Sequence, residues 1–401
     1  MRHIILVILA CAIVLSWKSS AMATNGMNMI GYGAVSSGMG GADLAVVDNA
    51  SAMNINPAGI CSCNGPQFGF GVSTLMPQLN HRDAANDADS DDNIFPLPLL
   101  TYVQPHWESS FTFGIGAFAQ GGMGVEYDGI KTPFATQDEI FSNVSYFKLT
   151  PTVGWQSDDG RLKLGASLNI GQAQTEFRYF PNTFVSGTFD GFRVKNLAAN
   201  GYGIRLGFQY HYDKLTIGGA WLSKTDLKYK DGDLTFASAP TTTLNAKLKG
   251  FDWPQQVGLG VLYQAFPHFR IAADVDWVEW SQAIDKVTLT GGPAPIVFDM
   301  NWQDQWVYAI GVEWMFRQNL VLRIGFNHGD SPVPDHTLSP LFPAIIEDHT
   351  TVGIGYSQGN WQFDFSYEHG FEAEQSNPTP ASAGTESHAQ NTLHLMLTRS
   401  F

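Results

Sequence analysis

The sequence predicts an all-β fold: a 14-stranded antiparallel transmembrane β-barrel over residues 66–401, with an N-terminal plug, residues 24–65, held inside its lumen. Three observations carry this. Long segments alternate with period two and keep one face wholly apolar. Their connections are alternately very short and long. Ahead of them lies a stretch rich in glycine and poor in charge, too weakly apolar to offset its own ordering entropy without a container.

The chain opens with Arg2, an apolar run from Ile4 to Leu15, and Ala21-Met22-Ala23. A basic start, a short apolar centre and an A-x-A site read as a secretory signal over residues 1–23, cleaved after Ala23. The run is shorter than the ~20 residues of a spanning helix, although a retained anchor is the competing reading. Of 22 Lys and Arg, Arg2 and Lys18 leave with the signal, so 20 basic residues face 37 acidic ones. Such an acidic chain is no partner for nucleic acid, which needs a basic face.

The plug reads Asn25-Gly26-Met27-Asn28-Met29, Gly38-Met39-Gly40-Gly41-Ala42 and Asn54-Ile55-Asn56-Pro57-Ala58-Gly59. Its methionines are adaptable apolar side chains. Met27 and Met29, nearest the start of the mature chain, are the best candidates to touch an apolar ligand; packing on the wall is the alternative. Cys61 and Cys63 follow. They form either a local bridge that stiffens the joint to the barrel, strained across one residue, or two free thiols. No metal-ligand spacing surrounds them.

Strands follow from alternation. Tyr202, Ile204, Leu206, Phe208 and Tyr210 share one face, as do Trp306, Tyr308, Ile310, Val312, Trp314 and Phe316. Aromatics gather at strand ends, as interfacial girdles do, which favours a membrane wall over a soluble sandwich. Short connections fall near 104–109, 156–161, 212–214, 265–268, 317–319 and 357–360, and long ones near 80–96, 120–143, 180–195, 230–240, 286–300, 329–347 and 372–390. Thirteen connections make fourteen strands, provided Thr241–Tyr263 is one strand despite Asp252 and Pro254. Short periplasmic turns and long external loops are the bacterial outer-membrane pattern. The last strand ends in Phe401, resembling the signal read by the outer-membrane assembly machinery.

With these blocks in hand, the mature chain resembles the FadL-type family of outer-membrane transporters for long-chain fatty acids and aromatic hydrocarbons. The likeness rests on Gly40-Gly41-Ala42, Asp48-Asn49-Ala50-Ser51-Ala52, Asn56-Pro57-Ala58-Gly59, Leu149-Thr150-Pro151-Thr152-Val153-Gly154, Trp253-Pro254-Gln255-Gln256 and Asn301-Trp302-Gln303-Asp304, in that order. The resemblance implies passive uptake. Ligand is captured by external loops, passed to a pocket against the plug, or hatch, and released sideways through a gap at a kinked third strand. It implies a monomer among outer-membrane lipid and lipopolysaccharide, with no cofactor and no catalytic residue. The third strand would be Ser110–Gln120, with Gly114, Gly116 and Phe118 followed by Gly121 and Gly122, and Asn56-Pro57-Ala58-Gly59 would face the gap. Lateral exit suits an apolar ligand, since each CH₂ released into water costs about 0.8 kcal/mol.

By parity Lys148, Arg205 and Arg323 point inward, where they meet either a ligand carboxylate or the inward acids Asp274, Asp276, Glu313, Asp364 and Glu368. The crowded acids Asp83, Asp87, Asp89, Asp91 and Asp92 read as a solvated loop rather than a cation site. Gly355-Tyr356-Ser357-Gln358-Gly359 matches a nucleophile-elbow pattern without the strand–turn–helix context it needs. A general porin, the other alternative, has no plug.

Overall fold

Successive side chains on a strand point to opposite faces, and here that alternation builds a closed wall. The computed structural model describes residues 25–91, 94–106, 109–380 and 382–401; the signal segment and its cleavage site lie outside the described residues. Fourteen strands form the barrel: β1 (Gln67–Arg82), β2 (Phe95–Pro105), β3 (Phe111–Lys131), β4 (Gln137–Gln156), β5 (Leu162–Val185), β6 (Phe189–Tyr212), β7 (Leu215–Leu222), β8 (Gln256–Phe266), β9 (Phe269–Val278), β10 (Gln305–Arg317), β11 (Leu320–Gly329), β12 (Asp348–Gln358), β13 (Trp361–Asn377) and β14 (Gly384–Ser400). Each pairs antiparallel with the next, and β14 returns to β1 from Gln67↔Ser400 to Arg82↔Thr385. Leu164, Leu168, Ile204, Leu206, Ile310, Ile324, Val352 and Leu395 face outward, exposed. Phe111, Tyr212, Phe266, Trp314, Trp361 and Phe401 ring the short-turn end.

The strand number is as expected, but its bookkeeping near residue 250 is corrected. Thr241–Tyr263 is not one strand. Tyr229–Phe236 and Ala239–Lys249 form an external hairpin, and the barrel strand begins only at Gln256. Between them Gly250 takes φ 76°, and Pro254 has no N–H to give a ladder. The third strand is also longer than predicted, because β3 and β4 stay paired past the membrane from Phe111↔Trp155 to Lys131↔Gln137. Two other expected long loops, after Phe180 and after Glu372, are likewise strand extensions.

Residues 25–66 fill the short-turn half of the lumen. They form α1 (Ala34–Gly38) and two 3₁₀ turns, Ala50–Asn54 and Pro57–Ser62. The side chains of Asn49 and Asn56 accept from the first free N–H groups of those turns, as caps do. Nearly every plug residue is buried. The plug backbone meets the wall so closely that a side chain there has no room. A Cβ at Gly165 would stand 2.2 Å from the Pro57 carbonyl carbon, and one at Gly325 would stand 2.2 Å from Gly40 N. On the other side the segment 331–347 tips inward and buries Leu338, Leu341, Phe342, Ile345 and Ile346. Phe342 lies 5.5 Å from both Phe177 and Phe251, and Ser142 Oγ donates to Leu341 O at 2.6 Å.

The contact at Gly325 gives a direct check. Gly325→Val is expected to leave barrel assembly intact while weakening plug docking by about 1–3 kcal/mol. Hydrogen exchange should rise across residues 38–44 and stay unchanged in β5 and β6.

Candidate ligand passage beside the plug

The wall is not uniformly zipped. The β2–β3 ladder runs from Pro105↔Thr112 to Leu99↔Phe118 and stops there. Among the described residues, pairing of the wall with β3 resumes where Asp91 N donates to Glu126 O at 2.9 Å. Sequence explains the break on both sides. Pro96 and Pro98 occupy alternate positions of β2, so the donors they lack fall on one edge. Because the ladder to β1 continues through Leu75↔Phe95, the blanked edge is the one facing β3. On β3 a bulge leaves Gln120 unpaired, and Gly121 and Gly122 take φ 153° and 158°, a region where glycine is favoured.

The N-terminus of the plug occupies this place. Asn28 bridges to Gly121, and Gly122 N donates to Met27 O at 3.2 Å. The bulged Gln120 turns its side chain inward, accepting from Asn54 Nδ2 at 3.0 Å and donating to the Tyr32 hydroxyl. Trp253 Nε1 donates to Asn28 Oδ1 at 2.9 Å, and Trp253, Trp280 and Trp302 form a chain of ring contacts at 6.2 and 5.2 Å. Gln120, Tyr32, Asn54 and Trp280 carry no site role in the sequence reading, although Asn54 lies in the quoted plug segment. A polar residue just before a Gly-Gly pair in a strand was the only signal for the first of them.

The predicted site residues scatter around this arrangement. Met29 and Arg205 line a cavity of about 50 Å³ between plug and wall, with Tyr32, Asp43, Asn54 and Asp276. Met27 is fully buried beside the bulge. Gly121 and Gly122 are at the break, whereas Gly114 and Gly116 are not. They pair regularly with Val103 and Thr101 and make room for Met53. Phe118 is buried at the last rung of the ladder. Asn56-Pro57-Ala58-Gly59 does not face the break either. Asn56 Nδ2 bonds Leu44 O at 2.7 Å and Phe208 O at 2.8 Å, and Pro57 sits in the space left by Gly165 and Gly207 of β5 and β6. There Asn56 bridges a plug carbonyl and a wall carbonyl, and Gln209 Nε2 of β6 also donates to Leu44 O at 3.2 Å.

The three inward cations have different fates. Arg323 is spoken for: Nε meets Glu313 at 2.8 Å and Nη1 meets Asp364 at 2.9 Å, with Arg270 joining Glu313 at 2.6 Å. Its charge is met by acids of the wall. Arg205 donates Nη1 to Ile55 O at 2.5 Å and leaves Nε without a partner. Lys148 is 1% exposed and its Nζ has no partner. The cysteines are two free thiols. The turn sends Cys63 toward Gln67 and Cys61 toward Gly154, and burial pushes the Cys61 thiol up to about 11. Ser357 sits at the end of β12 beside a tight turn, with no helix after it.

A second anchor joins plug and wall on the far side. Asp274 Oδ2 accepts from Asp43 N at 2.6 Å and Leu44 N at 2.8 Å. The Asp43 carboxyl takes a hydrogen bond from Ser36 Oγ. Burial first, and then the neighbouring Asp276, push Asp43 up to about 7, against the pull of Ser36.

A barrel of this order, plugged from its N-terminus and open at one seam, can be placed among known proteins. Residues 12–395 match the family model for "Outer membrane protein transport protein (OMPP1/FadL/TodX)". The chain belongs to this family. It is 23% identical over 398 residues to a long-chain fatty acid transport protein of Escherichia coli K12, covering 88% of each. The fold is similar to that of the Pseudomonas putida toluene transporter TodX, at TM-score 0.79 and 22% identity over 92% of this chain and 99% of that one. It is also similar to a Pseudomonas aeruginosa FadL homologue, at TM-score 0.77 and 16% identity over 96% and 100%. Membership places the barrel in the outer membrane.

The Asp43 anchor sets a pH dependence. A carboxyl raised on docking from 3.8 to about 7 holds its proton better docked than free. Its contribution is fully present below about pH 4 and fades as pH rises through 7. Protease protection of the plug is expected to weaken over that window, and Asp43→Asn is expected to flatten this part of the profile. An unchanged profile in the variant would show that Asp43 does not titrate there.

Proposed function

We propose that this protein mediates passive uptake of hydrophobic compounds across the outer membrane, with lateral release into the bilayer between β2 and β3. The carrying observation is the unzipped seam between Leu99↔Phe118 and Asp91–Glu126, occupied by the start of the plug. Two supports accompany it. The lumen beyond the plug is aromatic and apolar, built from Phe177, Phe251, Phe342, Tyr229 and Trp253. The relatives are named for fatty acid and toluene transport.

In this reading the external loops, 331–347 among them, capture the ligand from the side of the lipopolysaccharide. The ligand then moves along the aromatic lining to the plug. Withdrawal of Met27–Met29 from Gly121–Gly122 opens the seam, and the ligand leaves into lipid, avoiding the cost of about 0.8 kcal/mol per CH₂ that water would impose. Residues 24–65 act as the hatch and residues 66–401 as the wall of a monomer. The C-terminal strand ending in Phe401 serves the assembly machinery.

The test is uptake of labelled fatty acid and toluene by a Gram-negative host without its own transporter. Pro96→Val with Pro98→Val restores donors along the β2 edge and is expected to narrow the seam, lowering uptake roughly tenfold, about 1.4 kcal/mol in barrier. Full uptake by that variant, with the barrel still folded, would exclude the seam as the exit. A large steady ion conductance of the intact protein would favour a general porin.

A further inference from the structure

Between plug and wall the structure gathers more carboxylates than cations. Asp43 of the plug and Asp276 of β9 line the cavity of about 50 Å³. Asp274, two residues before Asp276 and on the same face of β9, grips the plug at Asp43 N and Leu44 N, and its Oδ1 is buried without a partner. Arg205 is the one Lys or Arg among the residues lining the cavity. Among the described residues, none of the three acids lies within ion-pairing distance of it. The other inward cation on this side, Lys148, is on β4, two strands further from the acids than Arg205 on β6. Three carboxylates against one guanidinium leave an excess of negative charge, and buried charge is costly unless it is matched.

The neutral groups lining the same cavity are short of donors too. Asn54 is fully buried, and its orientation is forced. The Tyr32 hydroxyl gives its proton to Gln120 O at 3.1 Å, so Gln120 Nε2 donates to Tyr32 and Gln120 Oε1 accepts from Asn54 Nδ2 at 3.0 Å. Asn54 Oδ1 is left without a partner. Asn327 of β11, 1% exposed, is held in the same way: its Nδ2 donates to Gly40 O at 2.9 Å and its Oδ1 has no partner. Asn25 Oδ1 is unpartnered as well. No His or Cys lines the cavity, and among the described residues no three His, Cys, Asp or Glu side chains converge as a metal cage. The available groups are carboxylate and amide oxygens. These suit a hard cation such as calcium, which takes about 6–8 oxygens and accepts amide carbonyls among them.

We propose that this cavity binds one calcium ion, held by Asp43 and Asn54 from the plug and by Asp276 and Asn327 from the wall. Asn25 Oδ1 and water complete its shell. Each carboxylate is oriented by a donor of its own element, Ser36 Oγ for Asp43 and Gln256 Nε2, at 3.1 Å, for Asp276 of the adjoining strand. Water alone also fits a polar cavity of this size and gives the amide oxygens donors, but it leaves the excess charge unmet. A divalent ion meets both needs. Because its ligands come from both sides, the ion is a clasp that seats the plug against β9 and β11. Seating the plug in this way is independent of which compound the barrel carries.

The experiment is equilibrium dialysis of the chelator-treated, full-length detergent-solubilised protein against radioactive calcium chloride. Hydrogen exchange across residues 25–66 is followed in parallel at pH 8, where the Asp43 anchor is weakest. The wild type is expected to bind about one calcium per chain with a Kd below about 1 mM. Calcium is expected to slow exchange in the plug roughly tenfold, and sodium at matched ionic strength to leave it unchanged. Asp276→Asn removes one ligand charge at the same size and is expected to weaken binding about tenfold or more. Asn54→Ala changes the plug alone and is expected to weaken it severalfold, which keeps the test decisive if the strand variant fails to assemble. Absence of bound calcium in the wild type, or equal plug protection by sodium, would overturn the proposal. Undiminished binding by the folded variants would also overturn it and move the ion to the acidic external loop at residues 83–91. Each of these results leaves the transport reading standing.

Discussion

Hydrocarbon gives a backbone N–H or C=O nothing to bond, so a wall in a membrane must be closed or must borrow partners. This barrel does both. Thirteen of its fourteen strand junctions are antiparallel ladders broken only by local bulges and by a two-residue gap at Thr150–Pro151 of β4. The β2–β3 junction is the exception, where prolines remove donors from one edge and a bulge turns the other aside. Into that break comes the start of the plug, with Met27 O and Asn28 supplying backbone contact to Gly122 and Gly121. The same few bonds hold the plug and stand at the seam, so moving one acts on the other.

The plug itself has little capacity to fold alone. Its one helix is a single turn, and its turns are 3₁₀. Its shape is imposed by the wall: Asp274 grips two consecutive N–H groups, Asn56 is tied to β6, Ser167 Oγ reaches Met53 O, and Asn327 Nδ2 reaches Gly40 O. These are side-chain to backbone bonds in a buried setting, where an unmet group costs about 1–3 kcal/mol. The wall therefore behaves as a mould. Glycines on β5, β6 and β11 set the depth of contact, and polar side chains fix its position.

Charge inside the lumen divides into two kinds. On β9, β10, β11 and β13 the cations are consumed by acids, as in the Arg270–Glu313–Arg323–Asp364 chain, which also reaches Asp48 of the plug. On β4 and β6, Lys148 and Arg205 make no direct ion pair, whereas Arg178, Arg193 and Lys195 of β5 and β6 pair with Glu139 and Glu176. Apolar lining fills the loop side above both, where Phe342 closes on Phe177 and Phe251.

Much of this was legible in the chain. Alternation fixes which residues face lipid and which face inward, because side-chain direction has period two whatever the strand packs against. That is why Lys148, Arg205 and Arg323 could be read as inward, and why the number of strands followed from the rhythm of short and long connections. Tertiary structure decided what each inward group meets. Parity cannot distinguish Arg323, enclosed by Glu313 and Asp364 from neighbouring strands, from Lys148, with no acid across its rungs. Nor does it place Asn56-Pro57-Ala58 against β5 and β6 rather than at the seam, or set Gly121–Gly122 apart from Gly114–Gly116. Those differences arise from pairing between residues far apart in sequence, and a one-residue bulge at Gln120 is enough to determine where the wall opens.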